Sequence, residues 1–338
     1  IRAPLWSRGL GDVYKRQKVF PIGLGGMSFS DAYGETNTHQ THEILSTAID
    51  LGVDHIDTSD IYGLGLSEER IGEFLNKNKS YKDYFKIATK GGIDRDKSGT
   101  SRFNNTEAYL KKSLDASLSR LGVDCVELYY VHRRDQKVPI EEVTETLKGF
   151  VKDGKVKQIG YSEISPSSLK RASSIHSIAA VQSEYSLSTR YPELGLIQQL
   201  KNLKATLVAF SPLGRSLLTD KPHSFAKAQS LNLLKENPRF LEPNLSYNIK
   251  LTKKFRKLAS SYNMSAAELA LSWLLNKDDA IIPIPGTRSS DHLKSMVKAA
   301  YNKLSSKEMN EIETILPIGW AHGDRYSQKQ WIGPEKYS

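Results

Sequence analysis

The sequence of 338 residues predicts an α/β protein built as a single (β/α)8 barrel, the TIM-barrel architecture, with extra C-terminal helices. The main observation is that short apolar segments alternate with helical patterns from residue 18 onward, and strands alternating with helices pair in parallel through crossover helices. Eight such units in about 320 residues fit a closed barrel. An open doubly wound sheet is the alternative, but it usually carries G-x-G-x-x-G before its first helix. Gly23, Gly25 and Gly26 do not reproduce this motif, because its third glycine is missing at the required spacing. No helix follows them at once.

Eight apolar segments are predicted as strands because each is short, rich in β-branched or aromatic residues, and bounded by polar or turn residues. They cover residues 19–25, 53–57, 85–90, 125–132, 156–162, 178–182, 205–210 and 280–286. The first runs into a glycine-rich loop, and the last reads AIIPIPG and precedes further helical patterns. Each of these segments therefore supplies one predicted barrel strand.

Helical patterns separate these strands, with apolar residues recurring every three or four positions. They cover residues 41–52, 67–78, 106–122, 140–154, 165–175, 193–202, 247–262 and 265–276. Thr106 and Gly122 are typical of an N-cap and a C-terminal stop. Pro166 suits the first turn of its helix. The helix at 67–78 has an acidic first turn, which complements the helix dipole.

Domain organisation follows from the same pattern. Residues 1–17 show no clean period and resemble translated sequencing-adapter sequence, so we expect them to be a non-native leader and residues 18–338 to form the barrel domain. No apolar run reaches 18 residues, so the sequence predicts no transmembrane helix and no membrane partner. Cys125 is the single cysteine, which excludes a disulfide framework and suits a cytoplasmic protein.

The charge pattern argues against several binding functions. The formal net charge of +10 is scattered over lysine-rich helix faces, without an aromatic-interleaved basic stripe, so we expect no nucleic-acid partner. A positive field would still attract an anionic small molecule such as a dinucleotide. His39 and His42 are three residues apart, but with no third ligand we expect no metal site.

Polar residues end three neighbouring predicted strands. Asp57 ends the second strand and Tyr62 lies just beyond it, Lys90 ends the third, and His132 ends the fourth. Any one of them could be structural, but a barrel gathers its chemistry at the carboxyl ends of its strands. An ammonium group beside a phenol favours its ionised form, a carboxylate orients the ammonium, and an imidazole can donate to a carbonyl oxygen. The set is suited to protonating an oxygen while hydride reaches the carbon.

Eight motifs follow one another along residues 18–326. They read GLGGMSF, HIDTSDIYG, IATKGG, SLDASLSRLGVDCVELYYVHR, GKVKQIGYSE, AAVQSEYS, VAFSPLGR and IPIPGTR. In order and spacing the sequence resembles the aldo-keto reductases, and in particular the branch with bacterial NADP-dependent reductases, pyridoxal reductases and plant auxin-induced-type reductases. The resemblance implies Tyr62 as proton donor, Lys90 and Asp57 as its tuning pair, and His132 as the residue that orients the substrate.

The resemblance also implies an NADP cofactor lying across the barrel mouth without a Rossmann domain. It places Ser162 and Gln182 at the nicotinamide carboxamide, Phe210 against the ring, and Gly26 and Met27 near the same end. The remaining implied contacts are the backbone of Ser211, Leu213 and Gly214 at the pyrophosphate and, at the adenosine 2′-phosphate, Gly286, Thr287, Arg288 and His292.

Two parts of the sequence depart from the family pattern. Glu163 stands where most members have Asn, although this branch commonly has Glu. After GTR the chain reads HLKSM, so His292 replaces a phosphate-binding Arg, and Ser295 and Met296 replace the residues that contact adenine. We therefore expect NADP preference to be weaker than the family default and to rest mainly on Arg288, with help from Lys294.

Three functions fit the motifs. The leading interpretation is a carbonyl reductase that acts on a small aldehyde or ketone as a monomer or weak homo-oligomer. A narrower alternative is a pyridoxal reductase or pyridoxine dehydrogenase of vitamin B6 metabolism. The third is a non-catalytic, cofactor-binding regulatory subunit. The sequence does not identify the substrate, because pocket loops such as 213–245 tolerate the most change.

Overall fold

A computed structural model describes residues 19–95 and 101–336. The expected leader, residues 1–17, lies outside the described residues. Within them, no helix is both long enough and apolar enough to cross a membrane.

The predicted barrel is confirmed. Eight parallel strands follow the order β1-β2-β3-β6-β7-β8-β9-β10, and backbone amides of Gly23 and Gly25 donate to the carbonyls of Pro283 and Pro285, which brings the last strand beside the first. The strands are β1 Leu24–Gly25, β2 His55–Asp57, β3 Lys86–Gly91, β4 Ile93–Arg95, β5 Ser101–Phe103, β6 Val126–Val131, β7 Val156–Ser162, β8 Ala180–Glu184, β9 Thr206–Phe210 and β10 Ile281–Pro283. The antiparallel hairpin of β4 and β5 stands apart from the barrel sheet and was not predicted.

Helices surround the barrel and continue beyond it. They are α1 Thr38–Asp50, α2 Leu66–Leu75, α3 Lys79–Tyr84, α4 Glu107–Leu121, α5 Ile140–Lys152, α6 Pro166–Ile175, α7 Leu196–Leu203, α8 Phe225–Gln229, α9 Asn244–Ser261, α10 Ala266–Lys277, α11 Ser290–Val297 and α12 Ser306–Ile315. Gly122 ends α4 in the left-handed conformation, as predicted. Thr106 is the N-cap of α4, but its hydroxyl donates to Asn104 instead of capping the helix.

The alternation of side chains along the strands determines which residues face the barrel interior. Ala88, Leu128 and Val208 belong to one buried cluster inside the barrel. Two residues further along β3 lies Lys90, so the strand period places its side chain on the same inward face. By the same period, Gln182 follows Ala180 on β8. The strand ends therefore direct polar side chains into the barrel mouth.

A C-terminal segment, residues 317–336, returns across the carboxyl ends of the strands. The indole N–H of Trp320 donates to the carbonyl of Leu187 (2.8 Å), and the amide of Glu335 donates to the carbonyl of Glu163 (2.9 Å). Glu335 also accepts from the backbone amide of Ser165 (2.9 Å). These contacts fix the segment over the side of the mouth formed by the loops after β7 and β8.

Candidate active site

Asp57 and Lys90 form a buried ion pair at the mouth of the barrel. β2 and β3 pair in parallel, and Lys90 Nζ lies 2.5 Å from Asp57 Oδ1 and 2.7 Å from the carbonyl oxygen of Thr58. The second carboxylate oxygen accepts from Gln182 Nε2 (2.7 Å). Burial lowers the pKa of Lys90, but the charges of Asp57 and Tyr62 and the hydrogen bonds to both side chains together outweigh it, and the net shift is upward. The lysine therefore stays charged at neutral pH.

Tyr62 lies against this pair. Its hydroxyl is 3.3 Å from Lys90 Nζ, and the same ammonium lies 4.9 Å from the centre of the tyrosine ring. Tyr62 opens a 3-10 turn in which Gly63 and Leu64 have positive φ angles of 63° and 56°. A side chain at position 63 would approach Leu66 Cβ to 2.9 Å, so glycine suits the tight turn that presents the phenol.

His132 completes the cluster that the sequence predicted at this rim. Its ring packs edge-on against the ring of Tyr62, with centroids 5.7 Å apart, and its Nδ1 lies 3.0 Å from Ser59 Oγ. Burial, together with the charges of Arg133 and Lys90, lowers the pKa of His132 well below the usual value. The imidazole is therefore neutral at physiological pH and carries its ring proton on one nitrogen.

Two of the side chains expected at the nicotinamide end already have hydrogen-bond partners within the protein. Gln182 uses its amide N–H toward Asp57, and Ser162 accepts from Arg133 Nη1 (2.9 Å). Phe210 ends β9 and is partly exposed. Arg133 was not among the predicted site residues; its second amino group lies 3.4 Å from the hydroxyl of Tyr326 on the C-terminal segment.

The loops expected at the phosphates have unusual backbone. After β9, Ser211 and Gly214 have positive φ angles of 49° and 57°, and the amide of Gly214 donates to the carbonyl of Ser211 (2.9 Å). Leu213 lies between them and is partly buried.

Gly26 and Met27, which were expected near the nicotinamide end, belong to the 3-10 turn Gly26–Phe29. Gly26 is buried at the start of this turn.

Arg288 is held by the first βα loop. Its Nη1 donates to the carbonyl of Glu35 (3.1 Å), and its own carbonyl accepts from Gln40 Nε2 (2.6 Å). Gly34, with a φ of 110°, leaves room for the guanidinium, since a side chain there would come within 2.9 Å of Nη1. Thr287 beside it is buried and Gly286 is exposed.

Other residues near this loop were expected to help bind the 2′-phosphate or to lie at the adenine. His292 is exposed at the start of α11. Lys294 forms a surface ion pair with Asp291 (3.2 Å). Ser295 lies 3.1 Å from Ser265 Oγ, and Met296 is buried in the core. Both side chains are thus committed to packing.

Glu163, the family departure next to Ser162, anchors the C-terminal segment. It has a positive φ of 56°, its carboxylate accepts from the amide of Glu184 (2.8 Å), and it forms a bidentate pair with Arg325. The Arg325 guanidinium also stacks near the rings of Tyr326 and Trp331, at 4.7 and 4.8 Å. The departure from Asn therefore joins the barrel rim to the segment that covers it.

The chain matches known proteins in sequence. The sequence pattern described as "Aldo/keto reductase family" matches residues 21–317. Over 309 residues the chain is 36% identical to the aldo-keto reductase yakc [NADP(+)] of Schizosaccharomyces pombe, covering 90% of this chain and 91% of the relative. It is also 36% identical to probable aldo-keto reductase 1 of Glycine max, with 91% and 89% coverage.

Solved structures agree on the fold. The glycerol dehydrogenase AKR11B4 from Gluconobacter oxydans superposes with a TM-score of 0.77 at 25% identity, covering 89% of this chain and 92% of that one. An aldo-keto reductase from Klebsiella pneumoniae, solved in complex with NADPH, gives a TM-score of 0.71 at 20% identity, with 93% and 98% coverage. At that identity the second likeness speaks for the fold alone.

Proposed function

Since this chain belongs to the aldo/keto reductase family, we propose that it reduces an aldehyde or ketone to the alcohol with NADPH as cofactor. The observation that carries the proposal is the contact between the Lys90 ammonium and the Tyr62 hydroxyl, beside the neutral ring of His132. The Schizosaccharomyces pombe relative, named for NADP(+), supports the choice of cofactor.

The rim residues fit a dinucleotide. Gly286 lies so close to the 3-10 turn Gly26–Phe29 that a side chain there would collide with Ser28 Oγ, so the loop is shaped for close approach of backbone. The left-handed residues after β9 form a turn of the kind whose backbone amides can face an anion such as a pyrophosphate, although the amide of Gly214 already donates to the carbonyl of Ser211. The Arg288 guanidinium keeps several N–H groups besides the one given to Glu35, and these suit a phosphate.

In the proposed reaction the residues of this chain hold the carbonyl oxygen and supply its proton. When bound, NADPH supplies the hydride that reduces the carbonyl carbon. Tyr62 donates its phenolic proton to the oxygen, while the Lys90 ammonium stabilises the negative charge that is left on the phenol oxygen. Asp57 and Thr58 fix the direction of the ammonium through the two shortest of its hydrogen bonds.

His132 orients the substrate in this proposal. Since Nδ1 faces Ser59, Nε2 is the nitrogen available to a carbonyl oxygen. A neutral imidazole can donate from Nε2 without adding a second positive charge beside Lys90. The Gln182 carbonyl oxygen and the Ser162 hydroxyl proton remain for the carboxamide, because their partners use the opposite atoms.

The test is NADPH oxidation, followed by absorbance, with a panel of aldehydes, ketones and pyridoxal, repeated with NADH. We expect turnover by the unmutated protein. We expect Tyr62→Phe to reduce kcat by roughly 10²–10⁴-fold, the usual effect of losing a positioned acid, with cofactor binding retained. Tyr247→Phe, on an exposed tyrosine of α9, is the matched control and should keep full activity.

Each outcome separates the candidates. Selective turnover of pyridoxal would favour the vitamin B6 alternative. Cofactor binding without turnover of any panel member would favour a regulatory subunit and contradict the proposal. Near-normal kcat in Tyr62→Phe would remove the proton-donor role from the tyrosine.

A further inference from the structure

A line of hydrogen-bonding groups runs from His132 away from the barrel mouth. His132 Nδ1 lies 3.0 Å from Ser59 Oγ, and the same hydroxyl lies 3.2 Å from Asp60 Oδ1. Ser59 is fully buried, and Asp60 is held in place by its amide, which donates to the carbonyl of Lys90 (3.1 Å). The proposed reaction assigns no role to either residue.

The Ser59 hydroxyl has one proton and three acceptors within reach. Besides Asp60 and His132, the carbonyl oxygen of Lys90 lies 3.3 Å from Ser59 Oγ. If the proton goes to the Asp60 carboxylate or to the Lys90 carbonyl oxygen, the Ser59 oxygen can only accept from His132, so Nδ1 donates to it and Nε2 is left without a proton. If it goes to Nδ1, the proton of the neutral ring resides on Nε2.

We propose that Asp60 is a positioning residue which, acting through Ser59, decides whether His132 presents a donor or an acceptor to the substrate oxygen. An ionised carboxylate attracts the hydroxyl proton more strongly than an imidazole nitrogen does, because the hydrogen bond is charge-assisted. A neutral carboxyl is a poorer acceptor and leaves the proton to Nδ1, which at 3.0 Å lies nearer to Ser59 Oγ than the Lys90 carbonyl oxygen at 3.3 Å. The inference rests on the proposed function, since it assigns the tautomer of the residue that orients the carbonyl.

The surroundings of Asp60 make its charge state variable. Burial chiefly raises its pKa, to about 6, and the charge of Glu68 on α2 adds to the rise. The hydroxyls of Ser113 and Ser59 and the charge of Arg120 act in the opposite direction. Ser113 Oγ, on α4, is 2.6 Å from Asp60 Oδ2.

Other ionisable groups face this relay on both sides. On the Asp60 side, burial raises the pKa values of Tyr109 and Tyr129, so both phenols are neutral. On the His132 side lie the charges of Arg133 and Lys90, and the pKa of Lys90 is shifted upward. Asp60, with a pKa of about 6, can gain and lose its proton between pH 5 and 7.

The two states of the relay suit opposite directions of reaction. With neutral Asp60, the Nε2–H group of His132 can donate to a carbonyl oxygen. With ionised Asp60, bare Nε2 can accept from the hydroxyl of an alcohol. We expect kcat/KM for carbonyl reduction to fall by about tenfold as pH rises through 6. The factor follows because a charge-assisted hydrogen bond from Ser59 to Asp60 is favoured over a neutral one by about that factor, and the Nε2–H tautomer becomes rarer by the same factor.

The direct measurement is the ¹⁵N NMR spectrum of histidine-labelled protein, which distinguishes protonated from bare ring nitrogens. His132→Gln serves only to assign the signals. In the unmutated protein we expect the Nε2–H tautomer at pH 5 and a growing share of Nδ1–H by pH 8. Asp60→Asn, with a neutral amide in place of the carboxyl, should keep Nε2–H throughout and flatten the fall of kcat/KM.

A second variant covers the case in which Asp60→Asn fails to fold. Ser113→Ala removes a hydroxyl that stabilises the Asp60 carboxylate, so the pKa of Asp60 should rise and the midpoint of the tautomer change should move up by about one pH unit. A merely structural role for Asp60 would change stability but not this midpoint.

Two results would overturn the inference: a His132 tautomer that is the same at pH 5 and pH 8, or a midpoint that Ser113→Ala leaves in place. Both are read without turnover. If the protein reduces no carbonyl but the tautomer still shifts, the proposed function fails while the relay stands; if reduction proceeds with an unchanging tautomer, only the relay fails.

Discussion

Replacing Lys90 by methionine separates two contributions of the buried pair of Asp57 and Lys90: its contribution to the stability of the fold and its contribution to the proposed reaction. Methionine approximates the length of the lysine side chain but removes the ammonium, and with it the three hydrogen bonds to Asp57, Thr58 and Tyr62. Lys90 is fully buried and the Asp57 side chain is 2% exposed, so water cannot readily replace the lost partner. The carboxylate keeps one donor, Gln182.

The expected cost follows from this geometry. Removing one member of a buried ion pair costs roughly 3–5 kcal/mol, and the remaining Gln182 bond puts this case near the lower end, at about 3 kcal/mol. Although burial lowers the pKa of Lys90, the charges of and hydrogen bonds to Asp57 and Tyr62 raise it on balance, so the ammonium is charged at pH 7 and its contribution to stability is lost only as pH rises through the folded-state pKa. Asp57→Asn in the same chain removes the unpaired charge and should recover most of the loss.

Urea denaturation at pH 7 measures the stabilities, and NADPH oxidation measures the activity. We expect Lys90→Met to be less stable and inactive, and the double variant with Asp57→Asn to be stable again and still inactive. A single variant as stable as the unmutated protein would refute the energetic argument. Recovery of activity in the double variant would refute the role of the ammonium beside Tyr62.

Two further predictions concern the cofactor and the cysteine. Arg288→Ala should weaken NADPH binding by about 1.5–3 kcal/mol, the range for a hydrogen bond to a charged group, and leave NADH binding nearly unchanged. Fluorescence titration at low salt measures both affinities, and equal affinities in the unmutated protein would show that the loop does not recognise the 2′-phosphate. Cys125→Ala should keep kcat, and native Cys125 should react slowly with a thiol reagent because burial raises its pKa; fast labelling with loss of activity would contradict this.

The barrel could be predicted because its signal is repeated eight times. Each long helix carries an apolar face and each strand a buried run, so errors of a few residues at the ends do not change the topology. The hairpin of β4 and β5 and the short helices α3 and α8 escaped prediction, since strands of three residues and helices of one or two turns show no usable period.

The sequence could predict which side chains gather at the carboxyl ends of the barrel strands. Asp57, Lys90 and His132 end neighbouring strands, and parallel strands bring such ends together. Tertiary partners were not predictable: nothing in the sequence pairs Ser162 with Arg133 or Glu163 with Arg325, 162 residues away. The roles of the expected cofactor residues stay predictions, and the commitment of Lys294 to Asp291 leaves Arg288 as the stronger candidate for the phosphate.

The stretch HIDTSDIYG contains two carboxylates, those of Asp57 and Asp60, three residues apart. After β2 the chain stays attached to β3, because Thr58 and Asp60 donate their amides to the carbonyls of Ala88 and Lys90 (2.8 and 3.1 Å). Asp57 consequently meets the ammonium, whereas Asp60 hydrogen-bonds to the hydroxyl groups of Ser59 and Ser113, and burial raises its pKa to about 6. In the proposed reaction the first carboxylate fixes the lysine beside Tyr62, and in the proposed relay the second adjusts His132. A strand that ends in two acids is thus explained by two different environments, one with an ammonium partner and one with hydroxyl partners.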